Sequence, residues 1–183
     1  MKVKHLQQSG EKSSVNSLNK DYTKDMLTKN LQLLSYLTKK HPHASVTVLI
    51  KLCYLVDLVS IKNGSEKISN FTYIRYFYGP FDKSIYTELD QLLESGVLIA
   101  TPEYKGDSET IIYSFNEEKK LDTSALDKNE IAILDEVLDS LDGYGAKALT
   151  DVAYSTAPMQ ALNATLGGDE NLGVELNLNL VRA

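Results

Sequence analysis

Four stretches of the chain carry side chains that could do chemistry. His41 and His43, with the single cysteine Cys53, offer borderline and soft metal donors. There is no second cysteine, no His at i+4 and no carboxylate at matching spacing, so the group falls short of a ligand set. GYGAKALT, residues 143–150, has the glycines, lysine and threonine of a phosphate loop. They are not adjacent as a Walker sequence requires, and the preceding residues read as helix rather than strand, so a helix-to-helix turn is expected. Asp57 lies in the most apolar segment of the chain, where a buried carboxylate must be hydrogen-bonded or paired. Its expected partners are a tyrosine hydroxyl or backbone N–H of the nearby aromatic stretch, or Arg75. Beside those tyrosines it is also the acid on which an enzyme could be built. The fourth stretch, YIRYFYGPFDKSIY over 73–86, holds six aromatic rings, one of only two arginines and a Gly-Pro step. No G-x-S-x-G motif accompanies it, and Cys53, within VLIKLCYLVDLV, reads as a buried hydrophobe rather than a nucleophile. The expectation is a binding protein and not an enzyme, with no metal and no cofactor.

The elements that must position these residues follow from periodicity. Residues 1–22, rich in Ser, Lys, Asn and Gln, have the composition of a flexible arm. From about Lys24 to Lys40, apolar Leu27, Leu31 and Leu34 recur at helical spacing. Pro42 ends that helix and Ser45 can cap the next, Val46 to Ile61, which is apolar nearly all round and so reads as the buried centre. Gly79-Pro80 is expected to turn an extended piece directly into a helix running to about Ser95, with Pro80 in its first turn. VLIAT and TIIYSFN form a β-hairpin around the turn-rich PEYKGDSE. Asp127 with Glu130 makes a capping-box start for a further helix, and AKALTDVAYSTA supplies a last one before Pro158. The alternating tail VELNLNLV is expected as an edge strand on the hairpin or on another subunit, which leaves room for a homodimer.

Charge narrows the function classes. Residues 1–67 carry eleven lysines against five acids, a balance of +6, while the rest carries −12, giving the net −6. A few helices followed by a hairpin is also the plan of a winged-helix DNA-binding regulator, the alternative reading. An acidic pI near 5.1 and the scarcity of arginine for bidentate base contacts make nucleic acid a poor partner. No apolar run approaches the roughly 18 residues of a membrane span, and no secretory leader is legible, so a cytoplasmic location is expected.

The order of motifs carries a resemblance. KLCYLVDL, with Lys51, Leu52, Tyr54 and Asp57, matches a K-L-x-Y-x-x-D pattern; Tyr78, Gly79 and Pro80 match a Y-G-P; and LTDVAYSTAPMQA, 149–161, follows at the expected place. Together they resemble the Panacea domain, a family that includes SocA-like antitoxins and phage-associated GepA-like proteins. In that last segment Tyr154 stands where the family usually has histidine and Met159 where it usually has tryptophan. The resemblance implies a mainly α domain with a small β-hairpin (α+β), spanning 23–165 and followed by a tail at 166–183. It also implies an antitoxin that neutralises a cognate toxin by direct contact or, in the SocA-like branch, an adaptor delivering the toxin to an AAA+ protease. Beside it, the residues themselves nominate Tyr73, Arg75, Phe77 and Phe81 for the docking surface. Lys51, Tyr54, Asp57, Tyr78, Gly79 and Pro80 are nominated as the structural motif.

Overall fold

The structure, a computed structural model, describes residues 29–41 and 43–182. The expected arm, 1–22, and the start of the first helix lie outside the described residues. The first helix, α1, covers 29–40 and turns Leu33, Leu34 and Leu37 into the core. A two-residue strand, β1 (Ala44–Ser45), leads into α2 (Val46–Lys62), whose first turn is capped by the Ser45 hydroxyl accepting from Val48 N–H at 3.4 Å. α2 is the buried centre: Leu49, Leu52, Cys53 and Val56 have no exposed surface. It is packed against α4 (Lys128–Ser140), α5 (Ala146–Tyr154) and a C-terminal 3-10 helix (Leu178–Arg182).

Between α2 and α3 (Ser84–Glu94) lies a small hairpin, β2 (Ile74–Tyr76) and β3 (Gly79–Phe81). A longer hairpin, β4 (Leu98–Lys105) and β5 (Ser108–Phe115), follows α3, and β1 pairs with β5 to give the order β1-β5-β4. Both strands run further than PEYKGDSE indicated, leaving Gly106-Asp107 as the turn. Pro102 is tolerated within β4 because β4 is the outer strand, where a missing N–H breaks no ladder. The Asp127 carboxylate accepts from the N–H groups of Asn129 and Glu130, and Glu130 returns a bond to Asp127 N–H, completing the expected capping box of α4.

Three expectations are corrected. Gly79-Pro80 is not a strand-to-helix joint. Arg75 pairs with Pro80 and Tyr76 with Gly79, so Phe77 and Tyr78 form a two-residue hairpin turn, and α3 starts four residues after Pro80. Gly79 permits this tight reversal because it adopts φ +97°. The chain does not leave the helical state for good before Pro158: a short helix, α6 (Ala157–Gln160), restarts with that proline in its first turn, where no N–H is needed. The C-terminal tail does not pair with β4–β5. Arg75 N–H donates to Val174 carbonyl, Gly173 N–H to Arg75 carbonyl and Leu176 N–H to Tyr73 carbonyl, so 173–176 line the free edge of β2. Asn177 then accepts from Asn179 N–H, a local bond that favours a turn, and the alternating residues beyond it coil into the 3-10 helix. Arg182 closes the chain onto α2 by donating to the carbonyls of Ile61 and Ser65. Among the described residues, no helix is long and apolar enough to cross a membrane.

Candidate partner-binding site

The site begins on α2 with three polar residues spaced by three, Lys51, Tyr54 and Asp57. A step of three residues falls short of a full turn, so these side chains fan over about 120° of the helix surface. Each ties down a different segment. The Lys51 ammonium donates to the Pro80 carbonyl at 2.8 Å and so holds β3. Tyr54 hydroxyl shares a 2.7 Å hydrogen bond with the Thr156 hydroxyl at the α5–α6 joint. Asp57, fully buried, accepts from Ile68 N–H and Ser69 N–H at 2.8 Å each, from Tyr73 hydroxyl at 2.8 Å, and from the Ser69 hydroxyl. Burial pushes its carboxyl above the usual carboxylate range, and the hydrogen bonds from Ser69 and Tyr73, with the charge of Lys67, oppose that shift. Arg75, expected as an alternative partner, is not among the donors.

The small hairpin sits on this anchored base. Tyr73 packs edge-on against Tyr54 at 5.3 Å between centroids, and Phe71 packs against Tyr73 at 6.3 Å. Beyond them the rings turn outward. Tyr76 stacks on Phe81 at 4.9 Å, Phe77 meets Tyr76 edge-on at 5.3 Å, and Tyr86 tilts against Phe81 from the first turn of α3. Phe81 is half-buried, whereas Tyr76, Phe77, Tyr78 and Tyr86 are exposed, Tyr78 at 67%. The backbone beneath is fixed on both sides, because the Phe77 carbonyl accepts from Tyr154 hydroxyl and from Gly167 N–H, each at 3.0 Å. Asp82 positions α3 by accepting from Ser84 N–H and from Thr72 N–H.

Two of the four nominated docking residues therefore lie elsewhere. Strand alternation sends Tyr73 and Arg75 inward as a pair, but the turn at Phe77-Tyr78 breaks the alternation, so Phe77 does not share their face. Arg75 has no exposed surface. One of its terminal nitrogens donates to the carbonyls of Thr165 and Gly168, its guanidinium lies 5.5 Å from the Tyr154 ring centre, and Nε and Nη1 have no partner among the described residues. The exposed rings of the hairpin and adjoining helix turn are Tyr76, Phe77, Tyr78 and Tyr86; of these only Phe77 was nominated for docking, Tyr78 having been placed in the structural motif and Tyr76 and Tyr86 missed. The hairpin's two-residue turn was the signal, and it is masked in sequence because Phe-Tyr is not a turn dipeptide. Tyr154, at the family's histidine position, uses its hydroxyl on the hairpin turn, and Met159, at the tryptophan position, is fully buried.

Two expected results arise from this geometry. A Cβ at Gly79 would meet Tyr154 Cε2 at 3.3 Å and Lys51 Cε and Nζ at 3.5 Å, on a backbone already at positive φ. Gly79→Val is expected to cost about 2–4 kcal/mol, read as a lowered urea midpoint. Lys51 is buried with no acidic partner among the described residues, and desolvation lowers its pKa from 10.5 to about 8. Below pH 8 the folded protein carries a desolvated charge. Between pH 8 and 10.5 the folded lysine is neutral while the unfolded one still binds a proton, so this group makes stability rise with pH. Lys51→Met is expected to raise stability by about 1–2 kcal/mol below pH 8, with the difference shrinking toward pH 10.5 in denaturation series at stepped pH.

No curated protein and no solved structure was found to match the chain. A family model does match, described as the antitoxin SocA-like, Panacea domain, over residues 49–158. That span takes in the Lys51, Tyr54 and Asp57 fan, the aromatic hairpin and the Tyr154 helix that supports it. The chain belongs to the SocA-like antitoxin family with a Panacea domain.

Proposed function

We propose that this protein is the antitoxin of a toxin–antitoxin pair and neutralises its toxin by direct contact, with no catalytic step and no cofactor. The observation that supports this reading beyond family membership is the cluster of four exposed aromatic rings on one braced hairpin and the adjoining helix turn. Tyr and Phe side chains held in place lose little entropy on binding and anchor protein interfaces. Delivery of the toxin to an AAA+ protease is compatible with the same surface, the rings holding the toxin while another face meets the protease.

A specific observation keeps a second reading in view. Apart from the β2–β3 hairpin between α2 and α3, the order α1-β1-α2-α3-β4-β5, with β1 added to β5, resembles that of a winged helix, in which α3 would enter the major groove. Yet α3, SIYTELDQLLE, has no basic residue and exposes Asp90 and Glu94, a face that phosphates repel. The antitoxin reading is tested by expressing the product of the adjacent gene alone and together with this protein. Growth arrest that co-expression relieves is the expected result; a harmless neighbour that never co-purifies with this chain would overturn it.

A further inference from the structure

Beneath the exposed rings is a cavity of about 140 Å³ walled by Tyr76, Tyr78, Phe81 and Tyr86, with Lys51 and Gly79 also lining it. Its volume is well below the roughly 300 Å³ at which cofactor and small-molecule sites begin, and suits one side chain. Lys51 is the only charged residue in the lining. Lys51 is 3% exposed; its ammonium can donate three hydrogen bonds and makes one, to Pro80 carbonyl, and no carboxylate lies within 4 Å of it among the described residues. Arg75, on β2, adds a second buried cation with no acid paired to it among the described residues. A buried, unneutralised ammonium costs stability in the free protein, and an incoming anion removes that cost and gains charge-assisted hydrogen bonds.

The geometry points to a carboxylate pocket: an aspartate or glutamate side chain of the toxin enters between the rings and bonds to the Lys51 ammonium, while neighbouring apolar toxin residues cover Phe77 and Tyr78. This deepens the antitoxin reading and rests on it for the identity of the partner. Charge complementarity selects an acidic side chain over an apolar or basic one, and the small volume argues against a nucleotide.

The test has an arm that needs no toxin. Amide NMR spectra of the isotope-labelled protein are recorded with 3-phenylpropionate and with the neutral 3-phenylpropanol as probes. Saturable shifts at Lys51, Tyr78 and Gly79 with the carboxylate, absent with the alcohol and abolished in Lys51→Met, are expected. Equal responses to both probes, no response to either, or an undiminished response in Lys51→Met overturns the pocket. In the second arm the toxin complex is treated with a carbodiimide, which joins an amine to a carboxylate without a spacer. A Lys51 link to a toxin acid is expected, with binding to Lys51→Met weakened roughly ten- to hundredfold at undiminished melting temperature. Toxin binding that Lys51→Met leaves unchanged would sink the pocket and leave the antitoxin reading standing. A harmless neighbour beside a positive NMR arm would do the reverse.

Discussion

Asp57→Ala is expected to lower the unfolding free energy by about 3–5 kcal/mol, seen as a drop in urea midpoint at unchanged slope. Four donors converge on this carboxylate from one loop: the N–H groups of Ile68 and Ser69 and the hydroxyls of Ser69 and Tyr73. Alanine leaves them facing an apolar cavity, where each unpaired donor carries a desolvation penalty. Such a loss is a large share of the 5–15 kcal/mol typical of a domain. Asp57→Asn keeps one acceptor oxygen but turns an amide group toward the remaining donors, so it is expected to fall between alanine and wild type. Tyr73→Phe removes a single donor and is expected to cost about 1 kcal/mol. In Asp57→Ala, hydrogen exchange should quicken first over 68–76, because that loop delivers the chain to β2. Binding should suffer along with stability.

The double substitution Phe77→Ala/Tyr78→Ala is expected to have the opposite profile. Both side chains are exposed turn residues, and the backbone bonds at the Phe77 carbonyl survive truncation. Surface changes of this kind move stability by about 0.5 kcal/mol or less, which for a chain of this size is a shift of roughly 2 °C. Aromatic anchors at the middle of an interface each contribute about 2 kcal/mol or more when truncated. Affinity for the toxin, measured by calorimetry, should therefore fall at least about a hundredfold while the melting temperature barely moves. A melting temperature that collapsed with the affinity would place the turn in the core instead.

The contrast between these variants follows what was legible in the sequence. The Ser45 cap, the all-round burial of α2, the β4–β5 hairpin and the Asp127–Glu130 capping box were readable because each rests on local chemistry: a hydroxyl before an apolar run, periods of 3.6 or 2, an acid three residues ahead of a partner. The pairing of Asp57 with a tyrosine hydroxyl and backbone N–H groups was likewise readable, since a carboxylate in an apolar helix has few alternatives. What escaped depends on contacts distant in sequence. Gly79-Pro80 reads locally as a helix entry, and only the pairing of Arg75 with Pro80, backed by Lys51 on Pro80 carbonyl, makes it a strand. The alternating tail reads as a strand of unknown partner. It meets β2 through 173–176, and the Asn177 turn then ends the extended run. Arg75 looked like an interface residue by type, but the strap over 165–168 buries it.

Hydrogen exchange on the purified toxin complex tests the central claim most directly. Protection gained on complex formation should centre on residues 74–86, the hairpin and first turn of α3, with the hairpin turn at Phe77-Tyr78 changing most. Protection confined to β4–β5, where Ile99, Tyr104 and Ile111 are also exposed, with 74–86 unchanged, would contradict it.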